Sequence, residues 1–244
     1  FILIFLLGAG NGLINAQMHQ SERFLANSIV VFGGVTSKPH NGFDRGRRIS
    51  LENRDLLTTT NDFEENIQET GATLWKPGNT FSLGANYIAS QNLCGAYPVK
   101  VKIDKIEIVH GRFINDIDLR EKRKVIVLTQ TQAKELSRDV AALLGKYIKV
   151  NDTMFRVVGI SKDDKSGENN TAHSPFTTIS TIYNYGHKVD RIEFTFGGVS
   201  TEEESDAFED RYRASINANH DAASDDESAL WVWNRLAQSL QMNK

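Results

Sequence analysis

Phe1-Ile-Leu-Ile-Phe-Leu-Leu7 opens the chain as an unbroken apolar run, followed by Gly8-Ala-Gly10-Asn-Gly12-Leu-Ile-Asn-Ala16. Seven residues are too few to cross the hydrocarbon of a bilayer, which takes about 20 apolar residues in a row. Read as a secretory signal, the run has a weak small-residue cleavage site near Ala16 but no initiator Met and no basic leading segment. Read as a first Rossmann strand with its phosphate loop, it has Leu13 where the last glycine is needed, and no βαβ alternation with a later acidic residue clearly follows. The fourth reading is the end of a transmembrane helix whose beginning has been cut away, running into water through Gln17-Met-His-Gln-Ser-Glu-Arg23. Gly8, Ala9, Gly10 and Gly12 suit close packing against neighbouring helices in lipid. The chain is then expected to be the water-facing part of a membrane protein.

The remainder has the composition of an ordered globular chain. Its 244 residues suffice to bury about 70% of the unfolded surface without a metal or disulfide staple. Lys+Arg 28 against Asp+Glu 31 leaves a net charge of −3, which argues against nucleic acid as a partner. Cys94 is the single cysteine, so no internal disulfide framework exists.

Ser28-Ile-Val-Val-Phe-Gly-Gly-Val35 reads as a buried strand, and the Gly-, Pro- and Asn-rich stretch from Thr36 to Gly46 as a loop. Ser50 is placed to cap a short helix from Leu51 to about Thr58. Strand-like pieces follow at Ala72 to Trp75 and Phe81 to Ala89, with periodicity fading between Ser90 and Pro98. Val99-Lys-Val-Lys-Ile103 alternates with period two and reads as a strand, as do Ile106 to Val109 and Lys124 to Leu128. Thr129 opens a helix with Ala133, Leu136, Val140, Leu143 and Leu144 at helical spacing, stopped by Gly145. Tyr147 to Val150 and Met154 to Val158 form a hairpin across Asn151-Asp-Thr153, and Ser161 to Ser174 reads as a polar loop. Arg191 to Phe196 alternates again. Ser200 to Glu203 has capping-box spacing before a helix lined by Phe208, Tyr212, Ser215, Ile216 and Asn219. Ser224 to Glu227 is a second such box, introducing Leu230, Trp233, Ala237 and Leu240 at spacings of three and four, so a terminal amphipathic helix is expected there. Strands and helices intermix without regular βα repetition, which gives the class α+β.

Catalytic chemistry leaves no mark on this sequence. The six histidines show no His-x-x-x-His pair and no cysteine at ligand spacing, so no metal site is expected. There is no Gly-x-Ser-x-Gly elbow and no P-loop, so no catalytic residue and no cofactor site is assigned. The carboxylate runs Glu202-Glu-Glu204 and Asp225-Asp-Glu227 sit at expected helix N-termini, where the helix dipole favours negative charge.

The order of the pieces carries more than any one of them. The strand Asn27-Ser-Ile-Val-Val-Phe-Gly-Gly34, the loop Gly42-Phe-Asp-Arg-Gly-Arg-Arg-Ile-Ser-Leu-Glu-Asn-Arg-Asp55, and Gly111-Arg-Phe-Ile114 with Asp118 come in sequence. They are followed by Lys124 to Leu128 with its helix, Leu144-Gly-Lys-Tyr-Ile-Lys-Val150, Phe155-Arg-Val-Val-Gly-Ile160, and the stretch from His220 to Asn234. This set resembles the extracytoplasmic core of MacB-type ABC transporter permeases over nearly the whole chain.

The resemblance implies a porter-like α/β-sandwich subdomain with a smaller strand-rich subdomain inserted, flanked by stalk helices. Residues 1–26 would be the end of a first transmembrane helix and stalk. Residues 27–96 and 176–223 would be porter-like, 97–175 the insertion, and 224–244 a stalk helix leading to a second transmembrane helix. Gly111 and Arg112 would form a turn with a structural arginine, and Leu230, Trp233, Ala237 and Leu240 the stalk face. It further implies a permease homodimer or heterodimer in a bacterial inner membrane, with this domain facing the periplasm. The implied partner is an ABC ATPase subunit or domain; whether a further partner is a periplasmic adaptor with an outer-membrane channel, a lipoprotein carrier or a cell-wall hydrolase regulator does not follow from the sequence. The function expected is mechanotransmission without catalysis. The alternative is a secreted or membrane-tethered ligand-binding module, and the third reading is an enzyme with a site assembled from scattered residues.

Overall fold

In a computed structural model of the chain, residues 25–163, 171–199 and 201–237 are described. The readings placed on Phe1 to Arg23 and on Leu240 lie outside them.

The elements in order are β1 (Ser28–Gly33), α1 (Asn53–Asp62), β2 (Ile67–Leu83), β3 (Asn86–Ala96), α2 (Lys100–Ile103), β4 (Ile108–Gly111), α3 (Asp116–Arg120), β5 (Val125–Thr129) and α4 (Gln130–Leu136). After a 3-10 turn at Ala141–Leu143 come β6 (Tyr147–Val150), β7 (Thr153–Ser161), β8 (Thr171–Pro175), α5 (Phe176–Ile182), β9 (Arg191–Phe196), α6 (Glu202–Asn219) and β10 (Leu230–Asn234). All ten strands belong to one mixed sheet in the order β10-β1-β9-β2-β3-β8-β5-β7-β4, with β6 paired to β2 and β7. The α+β class read from the sequence is the observed one.

Alternation along β9 explains how the sheet is covered. Ile192, Phe194 and Phe196 point to the face carrying α1 and α6, where Phe208 meets Phe196 at 4.2 Å and Phe194 at 6.2 Å between ring centroids. Phe63, just past α1, closes the cluster against Phe208 and Tyr212 at 5.5 and 5.3 Å. Such ring pairs add specific geometry to the burial of their area. Further along the sheet α5 lies directly on β3, because a Cβ at Gly95 would stand 2.9 Å from the Ile179 Cβ. At the outer edge Arg213 of α6 donates to the Glu227 and Leu230 carbonyls at 2.8 and 2.6 Å, holding β10 against the helix.

Several sequence expectations are corrected by tertiary context. Val99 to Ile103 is not a strand: after Pro98 the chain turns into α2, because Lys100 is drawn into a buried ion group where a strand would leave it in water. The helix from Thr129 ends at Leu136, where Ser137 is extended at φ −151°, and Leu143 is buried from a separate 3-10 turn. Gly145 does take the left-handed backbone expected of it, at φ 80°. The region from Ser90 to Ala96 continues β3, and the end of the expected polar loop, Thr171–Pro175, is a fully buried strand beside β3. The first helix begins at Asn53, with Glu52 and Asp55 forming its capping box in place of Ser50. On α6 the box is Thr201 and Glu204, one residue later than read. The hairpin of β6 and β7 has the register expected, with Asn151 at φ 50° in its turn.

The largest correction concerns the C-terminal stretch. Leu230–Asn234 is a strand, paired antiparallel with β1. Leu-Trp-Val-Trp satisfies period two as well as it fits helical spacing, and its aromatic and β-branched residues favour a pleated surface once β1 offers an edge. Leu230 and Trp233 therefore point to opposite faces of the sheet, with Leu230 buried and Trp233 partly exposed. The expected box at Ser224 to Glu227 is absent as well. Asp226 is instead buried, accepting from the Ser37 amide and hydroxyl at 2.8 and 2.7 Å and from the Lys38 amide at 3.0 Å. Helix begins only at Arg235 and includes Ala237.

Candidate functional site

The end of the sheet where the chain enters β1 and leaves β10 gathers the most unusual chemistry among the described residues. Ile29 stands directly opposite Asn234, so the two ends of the described chain approach the domain side by side. Asn234 finishes the strand and starts the helix that follows: its Oδ1 accepts from the Ala237 amide at 3.0 Å. A short polar side chain at this position satisfies an amide that the first helical turn leaves unpaired. Its Nδ2 donates to Ser205 Oγ on α6 at 2.8 Å. On the entering side, Ser28 Oγ donates to the Leu25 carbonyl at 2.6 Å, and the Leu25 amide donates to Ile103 O of α2 at 2.9 Å.

Beneath these exits lies a buried ion group. Alternation on β9 puts Arg191 and Glu193 on the face away from α6, where a half-covered sheet would ordinarily meet water. Here α2 covers them. Lys100, 1% exposed, binds Asp104 one turn on and reaches Glu193 Oε2 at 3.3 Å. Arg191 Nε lies 3.7 Å from the same carboxylate oxygen and donates to Thr73 Oγ1 at 2.9 Å. Arg235, 7% exposed, donates to Ser28 Oγ at 3.1 Å and packs its guanidinium 4.5 Å above the Trp233 ring. Lys100 and Arg191 hold the Asp104 carboxyl below its ordinary range although burial pushes it up. The Arg191 guanidinium is raised by Glu193 and Asp104 against burial. Arg235 goes the other way: burial, aided by repulsion from Arg191, draws it down to about 10 despite Asp104 and Glu193.

Cys94 and His173 lie at paired positions of β3 and β8 close to this group. Burial pushes the thiol up to about 12, outweighing the pull of Lys100 and Arg191. Burial and repulsion from Lys100 bring His173 down to about 3, so the ring is neutral at physiological pH. A thiolate is the reactive form of cysteine. Cys94 is therefore expected to resist an aromatic disulfide reagent at pH 8 in the native protein and to react at once in denaturant. Rapid native labelling would show that the cluster opens.

Gly111 and Arg112 sit elsewhere, where β4 meets β7. Gly111 has φ 74°, and a Cβ there would stand 2.2 Å from the Val158 carbonyl oxygen. Arg112 donates to Asp118 through both terminal nitrogens and to the Phe113 carbonyl at 2.9 Å, tying α3 to the end of β4. A shallow hollow of about 250 Å³ adjoins it, lined by Arg112, Leu144, Gly145, Arg156, Val157 and Val158. Gly111→Ala is expected to cost about 1–2 kcal/mol for the left-handed backbone alone, and more through the clash, read as a lower urea midpoint.

Among the described residues no cluster of three or more His, Cys, Asp or Glu is placed to hold a metal ion, and no helix is long and apolar enough to cross a membrane. Of the residues singled out in the sequence, the structure brings Trp233 to the exit beside Arg235, with Ala237 in the helix beyond. It separates Gly111 and Arg112 from them. Sequence reading missed Lys100, Glu193, Arg191 and Arg235, whose only local sign is a charged residue in an otherwise apolar stretch.

The family model of the MacB-like periplasmic core domain matches residues 1–214. The chain belongs to that family. The macrolide export ATP-binding/permease protein MacB of Aggregatibacter actinomycetemcomitans is 20% identical over 194 residues, which is 78% of this chain but 29% of that protein. The chain thus spans under a third of the length of that relative. Among solved structures, the periplasmic region of MacB from Actinobacillus actinomycetemcomitans superposes with a TM-score of 0.70 at 19% identity, covering 91% of this chain and 95% of that one. The extracellular domain of the noncanonic ABC-type transporter YknZ from Gram-positive bacteria gives 0.67 at 15% identity, covering 85% and 100%. At these identities the solved structures speak to the fold, and they share the mixed α+β arrangement around one large sheet.

Proposed function

We propose that this MacB-like domain is a non-catalytic part of an ABC permease in a bacterial inner membrane, facing the periplasm. There it converts ATP-driven motion of two stalk helices into work on an exported substrate or partner protein. The observation that supports this reading most is the pairing of β1 with β10. With Ile29 opposite Asn234, two neighbouring membrane helices would meet the domain at one point, and a displacement of the pair is delivered to a single pair of strands. A nucleotide state moves such a domain only if it favours one arrangement over another, and the exit is where that preference enters.

In this reading the ATP-hydrolysing part is a separate subunit or domain, and two permeases work as a homodimer or heterodimer. A periplasmic adaptor with an outer-membrane channel is the candidate further partner. Residues 27–96 and 176–223 form the porter-like part, which β10 joins as an edge strand, and residues 97–175 form the inserted, strand-rich part. The parent reading frame is the direct test. It should continue on both sides into apolar spans of about 20 residues. A frame that stops beside the domain on either side would overturn the reading and favour a tethered or secreted binding module.

A further inference from the structure

The groups at the exit form a chain of contacts. Arg235, the first residue of the leaving helix, donates to Ser28 Oγ, and the same hydroxyl donates to the Leu25 carbonyl of the entering segment. Leu25 donates in turn to Ile103 of α2. Lys100 of α2 extends the chain of contacts to Glu193 of β9, in the middle of the sheet, and to Asp104, where the polypeptide passes towards β4 and the rest of residues 97–175. Entering segment, leaving helix, sheet and α2 thus meet on a few buried polar side chains.

We propose that Arg235 is a latch, a positioning residue that makes the leaving helix, the entering segment and α2 move as one body, so that displacement of the stalk is delivered to residues 97–175. This inference rests on the mechanotransmission reading above and names the residue through which that motion passes.

The charge balance separates this role from simple stabilisation. The described residues of the group comprise three cations, Lys100, Arg191 and Arg235, and two carboxylates, Asp104 and Glu193. Removing Arg235 leaves two of each sign, whereas removing Glu193 leaves three cations against one carboxylate. Burial and Arg191 lower the Arg235 pKa while Asp104 and Glu193 raise it. Its use is sought in what it connects: one guanidinium joins the leaving helix to Ser28 of β1 and to the ring of Trp233.

The test uses the full-length transporter with its ATPase in lipid nanodiscs. Spin labels are placed at Leu57→Cys on α1 and Ile117→Cys on α3, both exposed positions, at 60% and 41%. The buried Cys94 stays unlabelled, and any other accessible cysteine is replaced. The Leu57–Ile117 distance distribution is measured without nucleotide and with nucleotide trapped by vanadate. The expected result is a nucleotide-dependent shift that Arg235→Met abolishes and Arg235→Lys restores at least in part. ATP hydrolysis should stay within about twofold, and the Arg235→Met melting temperature within about 2 °C of the parent. Three outcomes overturn the latch. An equal shift in Arg235→Met removes it and leaves the mechanotransmission reading standing. No shift in the parent protein removes that reading and the latch with it. Loss of the shift together with a melting temperature as low as that of Glu193→Gln reduces Arg235 to a structural residue.

Discussion

Replacing Glu193 with glutamine is expected to cost the fold about 3–5 kcal/mol, the range for breaking a buried ion pair by removing one partner. The side chain is fully buried, with Lys100 3.3 Å and Arg191 3.7 Å from one of its oxygens. Glutamine keeps the shape and one acceptor but not the charge, leaving Asp104 alone to answer Lys100, Arg191 and Arg235. Lys100 has no water to retreat to, and Arg191 keeps only 15% of its side chain exposed. Against a total stability of about 5–15 kcal/mol, the loss is large enough to appear as a much lower urea midpoint or as failure to accumulate. The double variant Lys100→Met/Glu193→Gln should recover part of it, because removing both members of a pair spares the uncompensated charge. A single variant within about 1 kcal/mol of the parent would show that water reaches the group and screens it.

Phe208→Ala is expected to lose a similar amount, about 3–5 kcal/mol, through a different mechanism. Phe208 is 2% exposed and lies among Phe63, Phe194, Phe196 and Tyr212, the last stacked on it at 5.9 Å. Four rings held by two helices and a strand have little freedom to close over the space left by a missing phenyl group. The penalty therefore includes a cavity as well as lost transfer energy. Urea unfolding should show a lower midpoint with unchanged slope, the sign of lost stability rather than an altered unfolded state. A loss below about 1.5 kcal/mol would mean that α6 settles into the gap, and that the aromatic cluster does not fix its distance from the sheet.

These two sites also show what the sequence makes legible. Phe208, Tyr212 and Ile216 fall at helical spacing, and the core face of α6 follows from that period. The alternation of Arg191-Ile-Glu-Phe-Thr-Phe196 gives β9 and its two faces equally well. It also assigns Arg191 and Glu193 to water, and there tertiary structure prevails. Their partner Lys100 lies about ninety residues earlier in a stretch, Val99 to Ile103, that itself alternates like a strand. No local pattern records that a one-turn helix will swing that lysine over the sheet, since the preference arises only once the carboxylate is in place. The C-terminal stretch is ambiguous for another reason. Leu230, Trp233 and Ala237 satisfy the helical period while Trp231 and Trp233 satisfy the strand period, and the choice falls to β1, whose edge is open for pairing. Asn234 marks the point where one period gives way to the other. An N-cap residue there is a sign the sequence does carry, though Ser224 to Glu227 offers the same sign where no helix follows.

Arg213 ties down carbonyls at Glu227 and Leu230 where β10 forms one edge of the sheet among the described residues. An outermost strand with free acceptors invites any passing extended segment to add itself. With a guanidinium already seated at the start of that border, a newcomer must displace a charged donor before it gains its first hydrogen bond. The same side chain that fastens the strand to its helix thus helps keep neighbouring molecules from merging into one another.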